Sequence, residues 1–219
     1  MKKIKSAIIT IILAISLCSG VFYVPAVLAN NEIKDEWPRQ PDVCAESAVL
    51  VEASTGTILY DKKCHKKMYP ASITKIMTAL LTIENCKMDE TVVFSENAVN
   101  GISYGVDGDA NFGCQIGEKM SVKDCLYVLM LQSANEVATA LGEHMAGSTE
   151  KFAEMMNERA KKAGAMNTHF ANANGLYDPK HYITAYDMAM ITRDASKYSL
   201  FNDIVNATSY KVSKNNKRK

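Results

Sequence analysis

Ser72–Glu84 reads SITKIMTALLTIE, and the fold follows from this stretch. Ile73, Ile76, Met77, Ala79, Leu80, Leu81 and Ile83 leave almost no polar face, so the segment is a helix for the centre of a domain rather than its surface. Ser72 stands in its first turn, with Lys75 one turn further along the same face. A helix N-terminus favours negative charge developing on Ser72 Oγ. An amine packed among apolar neighbours loses proton affinity and can serve as a base near neutral pH. A Ser–Lys nucleophile pair is therefore physically sensible. The spacing alone is common: Ser148-Thr149-Glu150-Lys151 matches as well, and reads as a helix cap with a solvated lysine. For Ser72 taken by itself, helix cap and nucleophile stand level.

Working outward, Ala48–Ala53 (AVLVEA), the Ser54-Thr55-Gly56 turn and Thr57–Tyr60 (TILY) read as a β-hairpin. Ser121-x-x-Asp124 caps an apolar helix over Val122–Leu131. A break at Gln132–Asn135 precedes another helix, Glu136–Met145. Ser133-Ala134-Asn135 falls in that break, where its polar groups need partners other than a continuing helical ladder. It is either a capping device or the wall of a site. Ser148 or Thr149 opens an amphipathic helix that stops at Gly164. After the long Asn167–His181 loop, Thr184-x-x-Asp187 caps a helix running to Tyr198, and Thr208–Val212 reads as a strand. Strands, a helical block and a returning strand give an α/β (α+β) class, an antiparallel sheet with a helical subdomain.

The chain of 219 residues is 47% apolar and 22% charged, enough for a real core. Its formal charge is +1, and beyond Lys2, Lys3 and Lys5 the remainder carries 22 basic against 24 acidic residues. That balance excludes a nucleic-acid surface built on bulk charge. The three lysines, the apolar run Ala7–Leu17 and the small-residue site Val27-Leu28-Ala29 read as a signal peptide over residues 1–29. An uncleaved anchor is the alternative, since Ser6–Ala29 holds no charge and is long enough to span a bilayer, although Gly20 and Pro25 weaken its second half. Leu17 before Cys18 departs from a lipoprotein box. Residues 30–43 are then a polar linker and 44–219 a domain that works outside the cytoplasm.

Cys44, Cys64, Cys86, Cys114 and Cys125 lie too far apart for a paired zinc or redox motif. Disulfides and buried apolar thiols both remain open for them. His65, His144, His169 and His181 are scattered, so no metal and no cofactor is expected. Asp107-x-Asp109-x-Asn111 with Glu118 mimics a calcium loop, but Phe112 stands where that loop's sharp turn needs glycine. Phe112–Ile116 reads instead as a short extended segment.

Pro70-Ala71-Ser72-Ile73-Thr74-Lys75 and Leu131-Gln132-Ser133-Ala134-Asn135-Glu136 together resemble the D-alanyl-D-alanine carboxypeptidases, the low-molecular-mass, serine-type penicillin-binding proteins. Met156–Ala160, Thr168–Asn172, Asn174-Gly175-Leu176, His181–Ala185 and the Leu50–Tyr60 hairpin are similar to that family too, in the right order from Cys44 to Asp194. The resemblance implies a β-lactamase/DD-peptidase-like fold. It implies Ser72 as the acyl-forming nucleophile, Lys75 as its proton acceptor, Ser133 as a proton relay toward the leaving group and Asn135 as the holder of the substrate's amide backbone. Half the oxyanion hole would come from the Ser72 N–H, and loss of one such donor typically costs about 2.7–4 kcal/mol. The implied substrate is the D-Ala-D-Ala end of a peptidoglycan stem peptide, with β-lactam antibiotics as inhibitors.

The family's third motif, Lys-Thr-Gly, is absent. The resemblance places it on a strand beyond Lys219, so this chain is expected to be the front part of a catalytic domain, inactive and poorly stable alone because the Ser72 helix would lack the sheet it packs on. Any membrane contact is expected only through the signal segment or a C-terminal anchor outside the sequence. Two alternatives stand beside the carboxypeptidase. A class A β-lactamase shares the Ser-x-x-Lys opening, but Ala134 replaces the Asp of its second motif and no Glu-x-x-x-Asn loop lies between Gly164 and Ala185. A non-catalytic envelope protein of the same fold would have no physical need to keep Ser72, Lys75, Ser133 and Asn135 together.

Overall fold

The hairpin comes first in the computed structural model, which describes residues 40–101 and 110–219. The signal segment, residues 30–39 of the linker, and Asp107 and Asp109 of the calcium-like stretch lie outside the described residues. Strands β1 (Ala48–Val51) and β2 (Ile58–Lys62) pair antiparallel, with Leu50 opposite Tyr60 and a bulge at Leu50/Val51. Glu52 closes the turn by accepting the N–H groups of Ser54 (2.9 Å) and Thr55 (2.7 Å).

The central apolar stretch divides in two. A 3-10 turn, Ala71–Thr74, carries Ser72, and helix α1 begins only at Lys75 and runs to Asn85. Ser72 therefore does not sit in the first α-helical turn as its sequence suggests, because the left-handed backbone of Ala71 (φ 49°) turns the chain just before regular bonding begins. Four short elements escaped the sequence pattern, among them strand β3 (Thr91–Val93) and helix α2 (Glu96–Asn100), the latter capped by Ser95 Oγ on Ala98 N–H. Strand β4 (Lys119–Ser121) pairs antiparallel with β3. Helices α3 (Val122–Leu131), α4 (Asn135–Ala146) and α5 (Thr149–Lys162) follow. The capping hydroxyls of Ser121 and Ser148 receive the N–H groups of Asp124 (3.0 Å) and Lys151 (3.3 Å), as the sequence predicts. Helix α6 (Ala185–Ala195) is capped by Thr184, and a separate α7 (Ser199–Val205) takes the chain onward.

Helix α1 packs against α3, α4, α5, α6 and α7, and Met77, Ala79 and Leu80 are wholly buried. Its core face is thus covered by helices. Apolar side chains stand exposed instead on the hairpin and the turn, at Leu50, Ile58, Leu59 and Ile73. Arg159 of α5 ties the bundle together, with Nε and Nη2 on Glu84 of α1 and Nη1 on Asp194 of α6.

Thr208–Val212 is not a strand. No strand among the described residues pairs with it. Tyr210 instead stacks on Tyr127 of α3 at 3.8 Å and donates its hydroxyl to Asp124. Glu118, the twelfth residue of the calcium-like stretch, is fully buried and taken up by Arg218 (2.6 Å) and Asn215 (2.8 Å), which leaves it no role as a cation ligand. The five cysteines of the described residues are free thiols, with Cys64, Cys114 and Cys125 buried. No helix among the described residues is long and apolar enough to cross a membrane.

The α4–α5 contact supplies a test in which two effects oppose each other. A methyl group on Gly142 would lie 2.7 Å from Cδ1 and 3.3 Å from Cβ of the buried Phe152. Helix propensity alone makes Gly142→Ala stabilising by about 1 kcal/mol, whereas overpacking costs about 1–3 kcal/mol. Net destabilisation is expected in chemical denaturation, and a stabilised variant would refute the close approach of α5.

Candidate active site

Lys75 opens α1 and is only 2% exposed. Its Nζ reaches three oxygens: Asn135 Oδ1 at 2.7 Å, the Asn174 carbonyl at 2.8 Å and Ser72 Oγ at 3.2 Å. The two carbonyl-type oxygens can only accept, so they claim two N–H donors whatever the amine's charge. The hydroxyl can accept from an ammonium or donate to the lone pair of a neutral amine. Loss of a single proton therefore turns the contact with Ser72 from donor to acceptor and leaves the other two unchanged. Burial pushes the Lys75 amine down to about 8, against the opposing pull of the Glu136 carboxylate.

Each partner is held by its own element. Asn135 is the first residue of α4, and its N–H donates to the Ala110 carbonyl at 2.8 Å. Glu136 is fully buried, and its Oε1 accepts the Phe112 N–H (2.6 Å) and a longer contact from the Cys114 N–H (3.4 Å), pinning that extended segment beside the start of α4. On the opposite side the Asn172–Leu176 loop is cross-braced by its own amides. Asn172 Oδ1 accepts from Gly175 N–H (2.7 Å) and Asn174 Oδ1 from Leu176 N–H (2.9 Å). Thr78 of α1 donates to the Ala173 carbonyl at 2.6 Å, which locks the loop onto the helix. Buried His181 meets Thr74 Oγ1 at 3.1 Å through Nε2, and burial lowers its pKa to about 4, so it braces the serine turn as a neutral ring.

Ser133 lies in the α3–α4 break with φ 55°, and its buried Oγ has no hydrogen-bond partner among the described residues. The α4 cap residue is Ala134, with no side-chain capping bond. The capping explanation for Ser133-Ala134-Asn135 is therefore not met, which leaves the site-wall explanation. Two of the non-glycine residues with positive φ, Ala71 and Ser133, immediately flank or belong to this constellation. Such conformations cost of order 1–3 kcal/mol each and collect at functional sites.

Ser72 and Asn135 open into a cleft of about 220 Å³ whose rim carries Tyr69 and Tyr177, their rings 5.2 Å apart and largely exposed. The structure thus joins Ser72 and Asn135 through Lys75, which bonds both, and places Ser133 one residue before the break's end, with its hydroxyl uncommitted. Sequence reasoning gave no role to the Asn174 carbonyl, Thr78, His181 or Glu136. Asn174-Gly175 stood out only as part of a loop and of the family resemblance, and a partner that acts through its backbone carbonyl leaves no side-chain signature.

The sequence profile of the D-alanyl-D-alanine carboxypeptidases matches residues 34–219, and the chain belongs to this family. It is 34% identical over 203 residues to the D-alanyl-D-alanine carboxypeptidase DacF of Bacillus subtilis, covering 90% of this chain and 49% of that protein. DacA of Escherichia coli is 29% identical over 202 residues, covering 87% and 50% respectively. Among solved structures, penicillin-binding protein 6B of Escherichia coli superposes with a TM-score of 0.70 at 30% identity, over 76% of this chain and 55% of that one. A Streptomyces DD-transpeptidase gives a TM-score of 0.72 at 29% identity, over 78% and 68%. These likenesses bear out the DD-peptidase fold, and the chain spans about half the length of the two curated relatives.

Gly175 joins the two walls, since a methyl group there would fall 1.9 Å from the Ala71 carbonyl oxygen, and its φ of +90° disfavours any side chain. Gly175→Ala is expected to lower stability by more than about 1 kcal/mol and to displace the Ser72 turn. Unchanged thermal unfolding would show that the loop does not press on Ala71.

Proposed function

We propose that this chain carries the nucleophile half of a serine-type D-Ala-D-Ala carboxypeptidase that removes the terminal D-alanine from peptidoglycan stem pentapeptides. The observation that carries the reading is the buried Lys75 amine, 3.2 Å from Ser72 Oγ with its other two contacts fixed on acceptors. Ser72 Oγ attacks the carbonyl of the D-Ala-D-Ala bond while its proton passes to neutral Lys75. The tetrahedral intermediate expels the amine of the last D-alanine, which takes, through the Ser133 hydroxyl, the proton that Lys75 had gained and so leaves Lys75 neutral again. The remaining Ser72 ester is hydrolysed by water, with Lys75 as base, and the free serine returns.

Asn135 orients the substrate. Its Oδ1 is committed to Lys75, so Nδ2 is the end left to donate to a substrate carbonyl. The small cleft suits a short peptide end, and the exposed Tyr69 and Tyr177 rings offer apolar contact at its mouth. A β-lactam would acylate the same Ser72 oxygen. Residues 1–29 act in this reading as a secretory signal that delivers the protein to the cell envelope, where its substrate lies. Any lasting membrane attachment comes from that segment or from a C-terminal anchor.

Ser72→Ala in the full-length protein should cut D-alanine release from a pentapeptide by at least about a thousandfold, with thermal unfolding retained. Release that survives the substitution would remove Ser72 from the nucleophile's role.

With the Lys75 amine near 8, roughly a tenth of the molecules hold it neutral at pH 7. Ser72 acylation by a β-lactam should therefore rise close to tenfold per pH unit below that value and level off above it. A rate that stays flat from slightly acidic to alkaline pH would rule out Lys75 as the proton acceptor.

A further inference from the structure

Helices α1 and α4 are joined at one end by the Lys75–Asn135 hydrogen bond, and their other ends meet at a separate cluster. Cys86 caps the C-terminus of α1, Glu90 stands in the turn leading to β3, and His144 lies in the last turn of α4. The eleven residues of α1 put this cluster about 16 Å from the candidate active site at 1.5 Å per residue. Cys86 Sγ, a Glu90 carboxylate oxygen and a His144 ring nitrogen all lie within 4.8 Å of one another.

We infer that Cys86, Glu90 and His144 bind a zinc-class divalent cation that clamps the C-terminal ends of α1 and α4 together. Three observations converge. The donor set of thiolate, imidazole and carboxylate is the borderline-soft combination that zinc takes in tetrahedral sites, here with the fourth position left to water. The donors are also held by backbone bonds that need no ion. Cys86 N–H donates to the Thr82 carbonyl (3.0 Å), and the Glu90 carbonyl accepts Val122 N–H (2.9 Å). Glu90 Oε1 accepts Lys87 N–H (2.9 Å), which turns Oε2 toward His144 Nε2 at 3.0 Å. Lastly, two helix C-termini converge here, each presenting about half a negative charge that favours a cation. Lys87 is the cation on the same turn, and its side chain is exposed. On binding, the Cys86 thiol gives its proton to solvent as the metal–sulfur bond forms, and His144 coordinates as the neutral ring.

The sequence reading of no metal rested on the absence of paired Cys or His spacing, and here the donors come from three separate elements instead. The inference does not depend on the proposed peptidase activity. It is tested on the full-length protein, stripped with a chelator and titrated with Co²⁺ and then Zn²⁺. Co²⁺ should give saturable thiolate-to-metal charge-transfer absorption at a single ion per chain, and Zn²⁺ should raise the unfolding temperature. Cys86→Ser should abolish both the absorption and the Zn²⁺-induced shift, and His144→Gln, at a partly exposed position, should weaken both. Cys44→Ser, which removes an exposed thiol elsewhere, should leave both intact. Reading the shift within each variant separates metal binding from any intrinsic loss of stability. Absent absorption, absorption that survives Cys86→Ser, or absorption lost with Cys44→Ser would each overturn the site.

Discussion

A lysine amine buried to 2% exposure is the constraint on which the rest of this structure turns. Taking such a group out of water costs several kcal/mol unless hydrogen bonds replace the lost solvent. Lys75 meets that demand from three directions: its own 3-10 turn, the first residue of α4 and a loop ninety-nine positions away in sequence. The helix, the break after α3 and the Asn172–Leu176 loop are therefore mutually dependent. Moving any one of them leaves a buried amine, or a buried acceptor, without its partner. Thr78 and Gly175 secure the loop from either side, one by a hydrogen bond and the other by having no side chain.

Around this well-satisfied amine, polar atoms are left without partners. Among the described residues, the buried side-chain atoms lacking a hydrogen bond are Ser133 Oγ, Glu136 Oε2 and His181 Nδ1. All three belong to residues that neighbour or brace the Lys75 contacts. Buried polar groups in folded proteins are nearly always paired, so their concentration in one region, beside the left-handed Ala71 and Ser133, separates this region from the ordinary core. The scaffold spends stability here that it recovers in the α1-centred packing and the Arg159 network.

Much of this was legible because the signals were local. Capping hydroxyls three residues ahead of the N–H they serve, at Ser121, Ser148 and Thr184, fixed helix starts to within a residue. The all-apolar character of Ser72–Glu84 placed α1 in the centre. The failures have equally local causes. Strands β3 and β4 are three residues each, too short for an alternation to register. Thr208–Val212 has strand-like composition but finds an aromatic face on α3 instead of a strand partner. The Ser72 turn looked helical because side-chain periodicity cannot distinguish a 3-10 turn running into an α-helix from one continuous helix. The Asn174 carbonyl and the Cys86–Glu90–His144 cluster were invisible since both are made by tertiary contact.

The amide of Asn135 shows how one contact can set the polarity of a whole cleft. An amide side chain offers an acceptor at one end and donors at the other, and an isolated asparagine could turn either toward a ligand. Lys75 settles the choice, because an ammonium has only donors to give and a neutral amine still needs acceptors for its two N–H groups. Oδ1 must face the lysine in either protonation state, and no hydrogen bond within the described residues takes up Nδ2. The cleft therefore presents a donor throughout a cycle in which Lys75 gains and loses a proton. An aspartate at this position would keep the bond to Lys75, yet it would hold the amine in its charged form and offer a second acceptor to the cleft. The amide is thus the side chain that keeps Lys75 titratable and the cleft wall donating at the same time.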